Sequence, residues 1–577
     1  SGHFPNETQV IWVPDVASLN NFRTKVLWQS YYNKLNTKAL FSFAINGGDG
    51  GDGRGYDVYR SNDTISVNNL FIPSIYLGKP VIVIAYRAFQ NCKSLTGTLT
   101  IPDSVLYIDR YAFSGCTGFS GNLIIPNSVT DIFEDAFNGC YNFNGGLTIG
   151  NSVTSIGDGA FYGCDRFTGN LIFPDGVIDI GDRAFSGCRG FRALIFPNSV
   201  TYISVRAFDG YGGVNRELVL PNSLKYISDW AFYNCRFTGD LTIPNSVTGI
   251  GELAFSNCSG FNGTLTIGSG LTSIGAEVFY NCSGFTGNLT LGNSITKIDV
   301  RAFSNCSGFT GSLTLGNSLK AIGERAFYYC RRFTGALIIP NLVTSIGVQA
   351  FYMCNGFNAA LTIGNSVSSI GDSAFNMCSR FNGDLMIGDN VTSIGNNSFN
   401  FCSGIDTLTI GSGVSSIGDY AFSNCDAISL IRIERKSPAT CGTNIFGKYL
   451  HDIVVPKVVD IAAYKNAAGW SSYASKFKAN IIYLTISNTG DEGKGKANGD
   501  PFILYARETG SITIWLAAKT WLGIEERYFP TFSSGAKWTG HTASPTKNPE
   551  PSQQNFYITV TPDFTMDISA SFRFSIN

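Results

Sequence analysis

The chain repeats one pattern of hydrophobic and polar positions about every 24 residues. In the unit that begins at Leu147, Leu147 and Ile149 alternate with Thr148, which is the period of a half-buried β-strand. Val153 and Ile156 mark a second short extended piece. A Gly-Asn pair separates the two pieces and favours a turn between them. Each unit is therefore expected to contribute two short strands.

The second half of the unit has a different spacing. Ala160, Phe161 and Cys164 are separated by one and three positions, which predicts one short helical turn with an inward face. Phe167 closes the unit, and Gly169 is expected to turn the chain into the next strand.

Phenylalanine at the position of Phe161 recurs through most of the chain. The fifteen members of this series are Phe89, Phe113, Phe137, Phe161, Phe185, Phe208, Phe232, Phe255, Phe279, Phe303, Phe327, Phe351, Phe375, Phe399 and Phe422. One such unit cannot bury its apolar side alone, whereas stacked units can, so like side chains should form columns. A fixed period between about 20 and 29 residues is the signature of leucine-rich repeats. We therefore predict a β-rich, right-handed leucine-rich repeat solenoid with short helical turns, built from about fifteen repeats of 23–24 residues.

Cysteine marks the same period. Fourteen of the fifteen cysteines fall in this series: Cys92, Cys116, Cys140, Cys164, Cys188, Cys235, Cys258, Cys282, Cys306, Cys330, Cys354, Cys378, Cys402 and Cys425. Tyr211 fills the one missing position, and Cys441 lies outside the series. Since each unit holds one cysteine in the phrase Ala-Phe-x-x-Cys, the pattern favours free buried thiols acting as small hydrophobes. Disulfides between neighbouring units, or a reactive role, stay open as the alternative.

The repeated phrase resembles a known family. Residues 241–258, LTIPNSVTGIGELAFSNC, are similar to the BspA-like (Treponema-type) leucine-rich repeats of bacterial surface proteins, and the resemblance covers roughly residues 57–480. It implies a secreted or outer-surface protein, since several members are adhesins for host matrix proteins or for other cells. It supplies no catalytic residue.

A solenoid needs caps, because its terminal apolar faces would otherwise meet water. Residues 453–456, IVVP, predict a last strand, and residues 458–477 predict a helix. Residues 11–38 repeat this cap-type phrase, with Trp28 placed like Trp470, either as the end of an earlier repeat block or as a local domain that reuses the motif. We accordingly assign residues 1–56 to an N-terminal cap-like segment, 57–480 to the array and 481–577 to a third module.

Two further segments carry candidate chemistry. Asp49, Asp52 and Asp57 in and beside a Gly-rich stretch could ligate calcium, but their spacing does not fit an EF-hand, so a loop is the preferred interpretation. The C-terminal module has several short strand-like runs, which suggest a β-sandwich-like domain. Its tryptophans are core residues or a platform for sugars, and they are Trp515, Trp521 and Trp538.

One strip of outward positions departs from the repeat consensus. The residue before the cysteine is Gly or Asn in most units, but it is aromatic or methionine in four successive ones. With its neighbours, this strip gives the candidate ligand-binding residues Tyr328, Tyr329, Arg331, Arg332, Tyr352, Met353, Met377, Arg380 and Phe401. Stacking would place them in a strip about 15 Å long, beside which Met386 also falls. An exposed apolar strip with arginines is typical of a protein-binding hot spot. Alternatively, these positions point into a widened core or pack against another part of the chain.

Composition narrows the functional classes. Charged residues make up 14% of the chain, the formal net charge is −1, and there are three histidines. No basic footprint indicates nucleic acid, and no apolar run reaches the roughly 18 residues of a membrane-spanning helix. We expect no enzyme, catalytic residue, cofactor or metal. Carboxylates of the terminal domains that could serve a hidden enzyme show no recognisable spacing; they are Asp500, Glu525, Glu526 and Asp563.

The leading hypothesis is therefore an extracellular or cell-surface repeat protein that mediates adhesion by binding a host matrix or cell-surface protein. The alternative is a rigid repeat spacer that presents a glycan-binding C-terminal β-domain.

Overall fold

The computed structural model describes residues 41–45, 55–60, 66–212, 217–447, 452–456 and 458–479, together with four short strands beyond them. The chain divides after Phe381 into two compact units, and its stacked coils number about 17 turns. The predicted repeat solenoid is thus confirmed, while the handedness stays a prediction.

In the first unit, the complete coils contribute two short strands each, except that the coil of Leu218 has only isolated bridges in place of its first strand. The first strand column contains the leucine strands: Val67–Phe71, Leu95–Thr100, Leu123–Ile124, Leu147–Thr148, Asn170–Ile172, Ala193–Ile195, Leu241–Ile243, Leu265–Ile267, Leu289–Thr290, Leu313–Thr314, Leu337–Ile338 and Leu361–Thr362. The second column contains Tyr56–Arg60, Lys79–Ile84, Tyr107–Ile108, Asp131–Ile132, Ser155–Ile156, Asp179–Ile180, Tyr202–Ile203, Tyr226–Ile227, Gly249–Ile250, Ser273–Ile274, Lys297–Ile298, Ala321–Ile322, Ser345–Ile346 and Ser369–Ile370. Strands pair in parallel with their equivalents one coil away, as Ile156 does with Ile132 and Ile180.

The start of the first unit is closed by a strand that sequence reasoning did not foresee. Phe41–Ile45 pairs antiparallel with Tyr56–Arg60, and the ring of Phe41 lies edge-on to that of Phe89 at 6.1 Å. A short strand, Ile75–Tyr76, also pairs antiparallel with Lys79–Ile84. The predicted cap segment over residues 11–38, and the candidate calcium ligands Asp49 and Asp52, lie outside the described residues.

The second unit has two strand columns of its own and ends in a cap. Its strands are Gly383–Ile387, Ile405–Ile410, Leu430–Ile433, Asp452–Val455 and Phe477–Ala479 in the first column and Ser393–Ile394, Ser416–Ile417 and Thr440–Cys441 in the second. The helix predicted over residues 458–477 is shorter than expected. It is an α-helix over Val458–Asn466, followed by a 3₁₀ helix over Ser471–Lys476.

Two buried aromatic side chains fasten this cap to the last coils. The Trp470 indole donates a hydrogen bond to the Ala439 carbonyl at 2.7 Å, and the Tyr464 hydroxyl donates to the Arg435 carbonyl at 2.9 Å. Both rings are almost fully buried, so they cover the apolar end of the array, as a cap must.

Of the C-terminal module, the structure describes only strand backbone. Ser487–Asn488 pairs in parallel with Arg573–Phe574, and Ile512–Leu516 pairs antiparallel with Phe556–Val560. The predicted β-sandwich, Trp521, Trp538 and the side chain of Trp515 lie outside the described residues. The glycan-binding alternative therefore stays a prediction.

The prediction of a short helical turn in each unit is wrong. In the coil of Phe327, the N–H groups of Phe327 and Tyr329 donate to the carbonyls of Ala350 and Tyr352 in the next coil. The alternate N–H groups, such as that of Cys330, donate to carbonyls three residues back. A helix would use every N–H within its own segment, whereas here half of them connect neighbouring coils.

This alternation needs left-handed backbone at two places in each turn segment. In the coil of Phe279, Glu277 has φ 54° and Asn281 has φ 58°. A positive φ at the third residue of a four-residue turn favours Gly or Asn. The preference for Gly or Asn before the cysteine is therefore a conformational requirement, and the inward face of Ala, Phe and Cys is nevertheless as predicted.

Phenylalanine and cysteine form the columns of the core. Phe279 stacks on Phe255 and Phe303 with centroids 5.6 and 5.3 Å away. Cys306 donates its S–H to the Phe279 carbonyl at 2.9 Å, and the same carbonyl accepts the N–H of Cys282 at 3.3 Å. Cys306 thus fills a small apolar site and also donates to a carbonyl of the preceding coil.

All fifteen cysteines are free thiols, and the fourteen of the repeat series are buried. Burial raises the pKa of Cys140 from its ordinary value of 9.0 to about 12, because the buried thiolate would lose its hydration. The sequence interpretation of free buried thiols is confirmed.

Candidate binding surface

The turn segments present two neighbouring columns of side chains on one surface of the first unit. Since Phe327 and Cys330 point into the core, the two residues between them, Tyr328 and Tyr329, point outwards and are half-buried. The next coil repeats the arrangement with Tyr352 and Met353. The alternative that these positions enter a widened core is therefore wrong.

Three tyrosine rings form one cluster on this surface. The rings of Tyr328 and Tyr352 stack with centroids 5.1 Å apart and an angle of 13° between their planes. Tyr329 lies 4.5 Å from Tyr328 and 5.8 Å from Tyr352. Partial burial, followed by the neighbouring tyrosines, raises the pKa of Tyr328. The Tyr328 hydroxyl therefore stays neutral at physiological pH.

Two arginines flank the tyrosine cluster. The Arg331 guanidinium lies over the Tyr329 ring at 4.3 Å, and one of its nitrogens is 3.9 Å from the Met353 sulfur. On the other side, the guanidinium of Arg325 lies 5.8 Å from the centre of the Tyr328 ring. Cation–π contacts of this kind are worth about 0.5–1 kcal/mol at exposed sites, so they restrain the arginines while leaving charge at the surface.

We call Tyr328, Tyr329, Arg331, Tyr352, Met353 and Met377 the tyrosine–methionine strip. In the next coil Met377 occupies the position before the cysteine, in the same turn column as Tyr329 and Met353, and it is half-buried. Three residues of that column have left-handed backbone: Tyr329 (φ 62°), Met353 (φ 58°) and Met377 (φ 63°). For residues other than Gly and Asn, this conformation costs roughly 1–2 kcal/mol each.

The other predicted residues fall into two groups. Arg332 and Arg380 are exposed and occupy the same repeat position two coils apart. Phe401 belongs to the second unit, where it is 43% exposed with φ 61°. Met386, also in the second unit, is on a strand of the first column, so it does not belong to the turn column with which the sequence grouped it.

Sequence reasoning missed Arg325 and Gln349. The Arg325 Nε donates to the Gln349 side-chain oxygen at 2.6 Å, which holds Arg325 beside the tyrosine cluster. Both residues occupy the position before the repeated alanine. That position holds many residue types, so no departure from a consensus could have marked them.

Neither a metal site nor a membrane helix is evident in the described part of the chain. It contains no group of three or more His, Cys, Asp or Glu side chains that could hold a metal ion. None of its helices has the length and hydropathy needed to cross a membrane. A cavity of about 720 Å³ is lined mainly by apolar side chains such as Leu194, Ile195 and Val219, and Glu217 is the titratable residue among the described ones that line it.

Comparison with known proteins gives one family match. The model described as BspA type leucine rich repeat region matches residues 66–169, 144–262, 261–382 and 381–466. None of the curated proteins compared with the chain matches it.

Several solved structures are similar to the chain. A leucine-rich repeat protein from Bacteroides ovatus is 23% identical, with 76% of this chain and 98% of that chain covered, at a TM-score of 0.43. A leucine rich cell surface protein from Faecalibacterium prausnitzii is 23% identical, with 69% and 94% covered, at 0.35. The pneumococcal vaccine antigen PcpA is 16% identical, with 76% and 95% covered, at 0.34.

Proposed function

Because the chain belongs to the BspA-type leucine-rich repeat family, a family of repeat scaffolds rather than enzymes, we propose that it is a secreted or cell-surface adhesion protein. Its ligand is a host matrix or cell-surface protein, bound at the tyrosine–methionine strip. The observation that carries this proposal is the stacked, half-exposed cluster of Tyr328, Tyr329 and Tyr352 beside Arg331.

Such a cluster suits protein binding for two reasons. Tyrosine and arginine are enriched among the residues that dominate binding energy at protein interfaces. The rings are already held against one another and against the Arg331 guanidinium, at 4.3 Å from Tyr329. Little side-chain freedom is then lost when a partner binds, which lowers the entropic cost of association.

The residue types of one left-handed column support the same site. Tyr329, Met353 and Met377 stand in three successive coils where the preceding coils have Asn257, Asn281 and Asn305. Left-handed backbone itself recurs in other coils, as at Trp230 and Leu253, so the change from Asn to larger aromatic or thioether side chains is what marks this surface.

The test uses the Asn residues that preceding coils have at the positions of Tyr329, Met353 and Met377. The triple variant Tyr329→Asn, Met353→Asn, Met377→Asn restores the usual residue at each position, so it should fold at least as well as the wild type. The matched control is Asn257→Gly, Asn281→Gly, Asn305→Gly, which alters the same column in the same unit. Each protein is immobilised and exposed to mammalian serum and to solubilised extracellular matrix, and bound proteins are quantified by mass spectrometry.

We expect the wild type and the control to retain at least one matrix or serum protein. The bound amount of that protein should be at least about tenfold lower with the triple variant. Equal retention by all three proteins, with matching thermal unfolding, would show that the strip is not the binding surface.

A further inference from the structure

We propose that the tyrosine–methionine strip recognises an acidic polypeptide segment that also carries an aromatic or aliphatic side chain. This inference rests on the proposed function and adds the chemistry of the partner. The strip supplies an apolar floor, and Arg331, Arg332 and Arg380 supply positive charge that no carboxylate of the described residues pairs with in a salt bridge.

Charge around the strip differs from that of the whole chain. Residues 319–383 contain five Lys or Arg and two Asp or Glu, although the whole chain has a net charge of −1. One of the two acids, Glu324, lies 3.5 Å from Arg325 and compensates it. Arg331, Arg332 and Arg380 are exposed, and in the described part of the chain no carboxylate forms a salt bridge with them. The surface therefore has free positive charge for a partner.

The Arg331 side chain is held where it can pair with a ligand. Its guanidinium lies against one face of the Tyr329 ring and near the Met353 sulfur, and neither contact uses a carboxylate. The N–H donors of a guanidinium lie in its own plane. When the group lies over a ring they point away from the ring face, so they stay free for a bidentate contact with a carboxylate. Arg331 is thus preorganised for an anion next to an apolar surface.

The apolar part of the strip favours a polypeptide over a sulfated glycan. Met353 and Met377 present flexible thioether chains, which adapt to apolar side chains of varied shape, and a sulfated glycan has no such groups to offer. Charge complementarity raises the association rate and the selectivity of binding, because long-range attraction steers an acidic partner towards the surface. A segment that alternates acidic and aromatic residues offers both kinds of contact at once.

The test uses defined peptides with the full-length protein. Fluorescein-labelled twelve-residue peptides with the sequences (Glu-Phe-Glu-Ser)₃, (Glu-Ser-Glu-Ser)₃ and (Lys-Phe-Lys-Ser)₃ are titrated, and fluorescence anisotropy is measured at 50 and 500 mM NaCl. Labelled heparin is the glycan arm. The charge variant is Arg331→Gln, Arg332→Gln, Arg380→Gln. Its matched control, Arg183→Gln, Arg189→Gln, Arg192→Gln, removes the same charge from exposed arginines of the same unit.

We expect the Glu-Phe peptide to bind more tightly than the other two peptides and heparin, and to weaken at high salt because ions screen exposed charges. The charge variant should weaken its binding about tenfold, and the control less than twofold. Tighter binding of heparin or of the Lys-Phe peptide, or no binding of either acidic peptide, would overturn the proposed partner. If the triple Asn variant had meanwhile lost its serum or matrix protein, the binding surface would stand and only its partner class would be wrong.

Discussion

The ring of Tyr211 lies 6.0 Å from that of Phe191, and the two planes differ by 9°. On the other side, Tyr211 stacks on Phe237 at 5.7 Å. The phenylalanines that close the units, such as Phe167 and Phe191, also stack in a column. Tyr211 therefore occupies the cysteine position in sequence, but its ring fills a gap in this second phenylalanine column. Its hydroxyl reaches the carbonyl of Ala193 at 3.0 Å, so one side chain replaces both a ring and a hydrogen-bond donor.

This relationship predicts that the consensus residue is the wrong one here. Tyr211→Cys should lower the free energy of unfolding by about 3–5 kcal/mol, because it leaves a ring-sized cavity between Phe191 and Phe237. Tyr211→Phe keeps the stacking and loses one hydrogen bond, at a cost of about 1 kcal/mol. Urea denaturation followed by circular dichroism measures both. Equal stability of the Cys variant and the wild type would contradict the role of the ring.

The buried thiol column predicts low chemical reactivity. In the native protein at pH 8, a thiol-specific chromogenic disulfide should modify at most one of the fifteen cysteines within minutes, and that residue is Cys441, which is partly exposed. All fifteen should react in urea. Rapid native labelling of several cysteines would contradict the burial of the column.

The same column predicts alkaline destabilisation. The pKa of Cys140 and of Cys425 is raised from 9.0 to about 12, so below pH 9 these thiols are neutral in both states and do not change stability. Above pH 9 the unfolded chain releases protons that Cys140 and Cys425 retain in the folded chain, and each of these two thiols lowers stability by up to about 1.4 kcal/mol per pH unit. The urea midpoint should thus fall steeply between pH 9 and 12. A constant midpoint over this range would refute the linkage.

The turn columns predict opposite effects for two substitutions. Met377→Asn should raise stability by up to about 1 kcal/mol, because Asn tolerates φ 63° better than Met. Gly163→Val places a β-branched residue at φ 69° with no neighbouring atom in the way, so its cost of roughly 1–2 kcal/mol comes from the backbone alone. Thermal unfolding of both variants, with Thr266→Ser as a neutral control, tests the assignment.

The phenylalanine column predicts a local loss of stability. Phe279→Ala removes a fully buried ring between Phe255 and Phe303 and should cost about 3–5 kcal/mol. Because contacts in a repeat array are mostly between neighbours, hydrogen exchange should accelerate first in the adjacent coils. Uniform acceleration throughout the first unit would argue against this nearest-neighbour behaviour.

Part of the candidate site could be predicted from the sequence. The departure of Tyr329, Met353 and Met377 from the Gly or Asn of other coils marked the strip, since a repeat supplies its own standard of comparison. The stacking of Tyr328 on Tyr352 and the hydrogen bond from Arg325 to Gln349 join side chains one coil apart, whereas Arg331 lies over a ring of its own coil. Those contacts depend on the rotamers that the side chains adopt, which the repeat spacing does not specify.

The sequence by itself determined the period, the family and the inward residues, because a side chain repeated at one phase meets the same neighbours in every coil and must suit one environment. The tertiary structure decided the backbone conformation of the turn segment and the position of the Tyr211 ring. The Ala-Phe-x-x-Cys spacing suits a helical turn equally well, and only hydrogen bonds to the next coil select the left-handed conformation instead. Likewise, the Tyr211 side chain is long enough to leave the cysteine position, and the space between Phe191 and Phe237 decided where its ring lies.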